Sequence, residues 1–287
     1  MNIIENRKSW FVVSGIIIAI GLISILLQGM NLGIDFAGGT IMEFTFKEKA
    51  TIKGIREILV DFNLDKKSVV QKTGKKGILI RTKKLDSDTM LALQERIEKK
   101  YSSAKMLQTA MVGPTIGREL RAKAGWALLV ASLAIVAYIS FRFQFRFSIV
   151  AILALLHDVL IVMGAFSLLG YEINSPFVAA VLTVVGYSIN DTIIIFDRIR
   201  EKMKFRKRET FAQLNNQAIV ETLPRSINTS VTTLLPILAI LLLGGATIQN
   251  FMIALLIGML AGTYSSIFIA SPLLVAWHKK DEMKMKI

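Results

Sequence analysis

Apolar residues run through this chain in six long stretches, separated by short polar connections and one long polar segment. The stretches are Trp10–Leu27, Gly125–Phe141, Phe147–Gly170, Phe177–Phe196, Val231–Gly244 with a polar approach from Arg225, and Asn250–Trp277. A hydrocarbon core about 30 Å thick takes roughly 20 apolar helical residues to cross, so each stretch predicts a membrane-spanning helix. The fifth is the most diluted, with Asn228, Thr229, Ser230, Thr232 and Thr233 in its first half. The first follows Arg7 and Lys8, as the apolar run of a signal peptide would. No small-x-small cleavage site comes after it and five further spans do, so it reads as an uncleaved anchor.

The long polar segment has a different rhythm. Thr40–Phe46 alternates as a strand, Thr51–Phe62 is helix-like, and Ser68–Lys72 and Ile78–Thr82 flank a turn at Gly74–Gly77. Asp86–Tyr101 has a helical period behind an Asp/Ser start, and Ala104–Val112 is a last strand. The order βαββαβ predicts a ferredoxin-like α+β sandwich. The expected layout is a short N-terminus (1–9), helix 1 (10–29), an extracytoplasmic domain (30–121) and helices 2–6 (122–277). A basic cytoplasmic loop (198–225) interrupts those helices, and a cytoplasmic tail (278–287) ends the chain.

Composition sharpens this picture. Of 287 residues 53% are hydrophobic, yet 35 Lys and Arg face 21 Asp and Glu, a net charge of +14. Apolar content and cations are segregated along the chain, which excludes a soluble enzyme, a disordered chain and a collagen-like fibre. With no Cys and only His157 and His278, thiolate sites and His-rich metal sites are excluded as well. Lys72–Gly77 lacks the order of a phosphate-binding loop, Gly33–Gly39 lacks its lysine, and no Gly-x-Ser-x-Gly occurs. The expectation is a protein that is not an enzyme and needs no cofactor.

The cations also predict orientation. With the N-terminus cytoplasmic, the inside segments hold Arg7, Lys8, Arg142, Arg146, eight cations from Arg198 to Arg225, and Lys279, Lys280, Lys284 and Lys286. The short outside loops Tyr171–Ser175 and Gly245–Gln249 hold none. The other 19 Lys and Arg lie between Lys47 and Lys123, in a segment long enough to translocate regardless of charge. Both termini are expected inside. Membrane lipids, rather than nucleic acid, are the partner that the net charge suggests.

Ionisable residues inside the spans point to chemistry, because each costs at least about 2.5 kcal/mol on insertion and normally faces the bundle interior. Asp158 follows His157 in the third span, Asp191 follows Asn190 in the fourth, and Arg225 opens the fifth. A carboxyl in low dielectric beside an arginine that alternately pairs with it and releases it is the minimal equipment of a proton relay. Thr183, Tyr187, Asn190 and Ile194 share one face of the fourth helix, with Asp191 at its edge. Arg225, Thr229, Thr232 and Pro236 share one face of the fifth. Two structural alternatives stay open: Arg225 snorkelling to the interface, and His157–Asp158 forming a local or interhelical hydrogen-bond pair. In the sixth span Gly258, Gly262, Ser266 and Ala270 recur every four residues, a small-residue seam for close helix packing within the chain or against a partner. Pro236 and Pro272 mark kinks or helix ends.

Six motifs carry a resemblance: GIDFAGGT (Gly33–Thr40), VGPTIGREL (Val112–Leu120), LLHDV (Leu155–Val159), VGYSINDTIIIFDRIRE (Val185–Glu201), RSINTSVTT (Arg225–Thr233) and GTYSSIFIASP (Gly262–Pro272). In this order they resemble the SecF family of protein-export membrane proteins, within the SecD/SecF and resistance-nodulation-division lineage. The resemblance implies a SecD partner of similar design. It also implies association with the SecYEG translocon and YajC, and the use of proton motive force to draw preproteins outward. It assigns proton passage to Asp191 and Arg225, with a partner acid on SecD, and it implies a stand-alone rather than a fused chain. The alternatives are a structural subunit that stabilises SecD without conducting ions, and half of a small-molecule or lipid exporter. A carboxylate among hydroxyls suits H⁺ or Na⁺ as the coupling ion.

Overall fold

The computed structural model describes residues 2–47, 50–65, 68–73, 76–142, 145–206, 208–245 and 248–284. Gly74 and Lys75 of the expected turn, Ala246 and Thr247 of the second outside loop, and residues 285–287 of the tail lie outside the described residues.

Helix α1 (Arg7–Gln28) leads through a two-residue strand β1 (Asn31–Leu32) and a single turn α2 (Ile34–Ala37) into the polar domain. There β2 (Gly39–Thr45), α3 (Ile52–Asp61), β3 (Val69–Thr73), β4 (Gly77–Thr82), α4 (Ser87–Lys100) and β5 (Lys105–Val112) follow in the expected order. All pairings are antiparallel and the sheet order is β3-β4-β2-β5, the ferredoxin-like arrangement. The period-2 pattern of β2 sends Met42 and Phe44 inward, where they meet Ile78 and Ile80 of β4 and the apolar faces of α3 and α4 (Ile55, Leu59, Leu93, Ile97). Thr51 and Asp86 cap those helices, accepting hydrogen bonds from the amides of Gly54 at 3.1 Å and Thr89 at 3.2 Å.

The remaining helices are α5 (Pro114–Arg142), α6 (Phe145–Leu169), α7 (Ser175–Lys204), α8 (Phe211–Leu243), α9 (Gln249–Ser265) and α10 (Ser271–Lys284), with strand β6 (Glu172–Ile173) between α6 and α7. The α9 and α10 helices are joined by a π-helical turn at Ser266–Ala270. Counting α9–α10 as one, six helices among the described residues are long and apolar enough to cross a membrane. The α6, α7 and α9 helices form the centre, α1 packs on α6, and α5 and α8 leave much of their surface uncovered.

At two places the helix bounds differ from the expected segments. The second span begins at Pro114 rather than Gly125, so the helix reaches back into the segment assigned to the outside domain. Pro114 fits at the first helical turn, where no amide donor is needed, and Gly117 lets this turn lie against α2. The basic loop 198–225 is mostly helix: α7 runs to Lys204 and α8 starts at Phe211. Ion pairs of Arg198 and Lys202 with Glu221 hold α7 and α8 together, and Arg198 also pairs with Glu201 within α7. A reciprocal Thr210–Gln213 capping box starts α8. Before Pro272 the regular helix is interrupted, as expected there, because a proline lacks the amide for the regular ladder and crowds the carbonyl four residues earlier. The π turn just before it absorbs that mismatch.

The motif Gly33–Thr40 fastens the domain to the bundle. Strand β1 pairs in parallel with β6, and the carboxylate of Asp35 accepts the Ser175 amide at 2.8 Å, at the start of α7. Arg81 on β4 forms a largely buried ion pair with Glu172. Gly39 has φ 145°, and a Cβ there would lie 2.5 Å from the carbonyl oxygen of Thr82, so only glycine fits the turn into β2.

Candidate functional site

The site residues divide into two groups on adjoining faces of α7. On the inner side Asp158 of α6 is 1% exposed and fully partnered. Its Oδ2 accepts hydrogen bonds from Ser188 Oγ of α7 at 2.5 Å and Ser265 Oγ of α9 at 2.9 Å. Its Oδ1 lies 2.9 Å from Nδ1 of His157, and the other ring nitrogen of that histidine lies 3.1 Å from Ser14 Oγ of α1. Tyr264 stacks on the imidazole and donates to the Trp10 carbonyl. One turn along α7, Thr192 and Ser266 share a hydroxyl hydrogen bond of 2.8 Å. The pairing alternative for His157–Asp158 is thus the one the geometry realises, within a network that joins α1, α6, α7 and α9.

On the other face stands Asp191, also 1% exposed, but neither of its carboxylate oxygens has a hydrogen-bond partner. Tyr187 Oη and Ser226 Oγ, on α7 and the adjoining α8, are buried and unpartnered too. Arg225 is exposed on α8, and no ion pair within 4.0 Å joins it to Asp191. Asn190 and Thr232 are exposed and Thr229 is half-buried. Their helix faces were expected to line a shared interior; in this chain alone they lie at the surface of the bundle. The threonines satisfy themselves by bonding back to their own helix, Thr229 to the Arg225 carbonyl and Thr232 to that of Asn228, each at 2.9 Å. A buried carboxyl without partners among the described residues is costly, and it stands here beside a polar face without cover.

The small-residue seam packs within the chain. Gly258 lies against Val184 and Gly262 against Ser188, while Ser266 meets Thr192 and Ala270 is fully buried. Sequence reasoning missed Ser14, Ser188, Ser226, Tyr264 and Ser265. Ser188 and Ser226 adjoin residues already singled out, and Ser265 sits inside the seam motif, so motif membership was their only signal.

The family described as "Protein export membrane protein SecD/SecF, C-terminal" matches residues 92–280, and the "SecD/SecF GG Motif" matches residues 23–50. The chain belongs to the SecD/SecF family. It is 40% identical over 305 residues to the protein translocase subunit SecF of Thermobaculum terrenum, covering 99% of this chain and 96% of that one. It is 38% identical to the protein translocase subunit SecDF of Bacillus subtilis, covering 98% of this chain and 38% of that longer one. The crystal structure of SecDF from Thermus thermophilus, a translocon-associated membrane protein, superposes with a TM-score of 0.91 at 38% identity. That match covers 97% of this chain and 39% of the crystallised one. This is a multi-pass membrane protein of protein export, and the SecD/SecF GG motif coincides with the segment that fastens the domain to the bundle.

Proposed function

We propose that this chain is the SecF half of a proton-driven export device completed by SecD, which draws preproteins outward through SecYEG without acting as an enzyme. The reading rests on one observation. Asp191 is buried with both oxygens unpartnered, at the edge of a polar helix face that this chain leaves uncovered. Leaving such a group unsatisfied is costly, so a partner carrying complementary polar groups, or water admitted by it, belongs on that face. Relatives in which the matching region is part of one longer SecDF chain supply the natural candidate. Asp191 then takes up and releases the proton, and Arg225, on the neighbouring helix, neutralises the carboxylate between transfers. The charge asymmetry puts both termini on the cytoplasmic side of a bacterial inner membrane and the ferredoxin-like domain outside, next to emerging polypeptide. YajC and anionic lipids are further partners of this assembly.

The test uses vesicles containing this chain with its SecD. Asp191→Asn and Arg225→Met are expected to leave the complex assembled while gradient-dependent release of a preprotein stops. Export at the wild-type rate in both variants leaves a structural subunit. Imposing a proton or a sodium gradient separately identifies the coupling ion.

A further inference from the structure

We infer that Asp158 is a positioning residue, which sets the rotation of α7 through Ser188 so that the Asp191 carboxyl stays buried and unpartnered at the edge of the uncovered polar face, rather than a second carrier of the proton. The inference rests on the reading of Asp191 given above.

The geometry is that of a clamp. Successive residues of an α-helix are about 100° apart, which puts Ser188 and Thr192 about 40° from one another and Asp191 about 60° beyond Ser188. The first two are tied inward, Ser188 to Asp158 at 2.5 Å and Thr192 to Ser266 at 2.8 Å. With that stripe held, Asp191 can point only off to the side, where its oxygens meet no donor among the described residues. The clamp is anchored from several directions. Ser265 of α9 bonds the same carboxylate oxygen, and His157 carries the tie to Ser14 of α1. The Ser266 hydroxyl, at the start of the π turn, also reaches the Ser188 carbonyl at 3.3 Å. A residue that carried protons would need a hydrogen-bonded route to Asp191 or Arg225, and the bonds of His157 and Ser265 lead instead to Ser14 and the Gly262 carbonyl. Asp158 shares no hydrogen bond with either of them, and its oxygens are taken up by His157, Ser188 and Ser265.

The experiment compares Asp158→Asn with Asp158→Ala in vesicles holding the full complex with SecD. Asparagine can keep its oxygen toward the two serines and turn its amide to His157, so it preserves the clamp while removing the titrating group. Alanine removes both. Export in Asp158→Asn is expected within about threefold of wild type, whereas Asp158→Ala loses on the order of tenfold or more, since small misplacements of a reacting group are costly. The second readout is the rate at which a hydrophobic carbodiimide labels Asp191, followed by mass spectrometry. It shifts in Asp158→Ala and stays unchanged in Asp158→Asn. Should Asp158→Ala fail to accumulate, Ser188→Ala and Ser265→Ala remove one tie each, and each is expected to shift Asp191 labelling in the same direction. Asp158→Asn as inactive as Asp158→Ala would overturn the inference, and so would loss of the ties with no change in Asp191 labelling. Asp191→Asn in the same vesicles keeps the two readings apart. If it exports normally, the proton reading fails, while labelling of Asp191 in the Asp158 variants still decides the clamp.

Discussion

Gly21 of α1 and Gly164 of α6 touch backbone to backbone. A Cβ built on Gly21 would lie 2.8 Å from the Gly164 Cα, and one on Gly164 would lie 2.7 Å from the Gly21 Cα. Between helices in a membrane no hydrophobic force acts, so such close packing and the hydrogen bonds beside it hold α1 in place. Ser24 and Ser167 supply one of those bonds at 2.9 Å. Replacing either glycine by leucine is expected to cost about 1–3 kcal/mol, as overpacking does in well-filled interiors. Thermal unfolding of the detergent-solubilised complex measures this, and an unshifted midpoint for both variants would show that α1 is held elsewhere.

The seam on α9 faces α7, not a second protein. A Cβ on Gly262 would come within 2.8 Å of the Ser188 side chain, one turn from Asp191. Gly262→Leu is therefore expected to destabilise this chain even when SecD is not co-expressed. Normal protease resistance of the lone chain, together with lost co-purification of SecD, would return the seam to the interface between the two proteins.

Arg81 and Glu172 tie the domain to the bundle from within a largely buried contact. Burial pushes the Glu172 carboxyl above the usual range, against the pull of Arg81, and Asp35 pushes it further. Arg81→Leu leaves that carboxylate without its counter-charge and is expected to cost about 3 kcal/mol. The cost is felt above the raised folded-state pKa. It shrinks as the pH falls through that value and Glu172 takes a proton, because a folded state that binds the proton more tightly gains stability on acidification. Hydrogen exchange at the β1–β6 amides reads the effect. Equal exchange in wild type and Arg81→Leu at neutral pH would remove the ion pair from the fastening.

At the start of α4, hydrogen bonds from the Thr89 hydroxyl and amide hold the Asp86 carboxyl below the usual carboxylate range. The stabilisation this cap provides is present above the unfolded-state value and is lost as the pH falls through the lower folded one. Exchange of the Thr89 amide is expected to rise on acidification in wild type, while Asp86→Asn, which caps without ionising, shows a much flatter profile. Parallel profiles would mean that the carboxylate charge plays no part there.

What the sequence determined by itself was whatever depends on neighbours along the chain. Six spans followed from runs of apolar residues, the domain from a change of period, and the start of its second helix from Asp86. That Asp158, Asp191 and Arg225 were unusual followed from the cost of charge in hydrocarbon. Helix ends were less legible, because α5, α7 and α8 continue past their apolar runs on turns stabilised by Pro114 and by the ion pairs around Glu221. Only the tertiary structure decided what distinguishes the two buried aspartates. Asp158 meets a serine 30 positions away and another 107 positions away, and Asp191 meets neither. Hydropathy records that a helix is apolar, but which side of it turns inward is set by contacts between distant residues. That rotation is what leaves one buried carboxyl satisfied and the other buried without a partner.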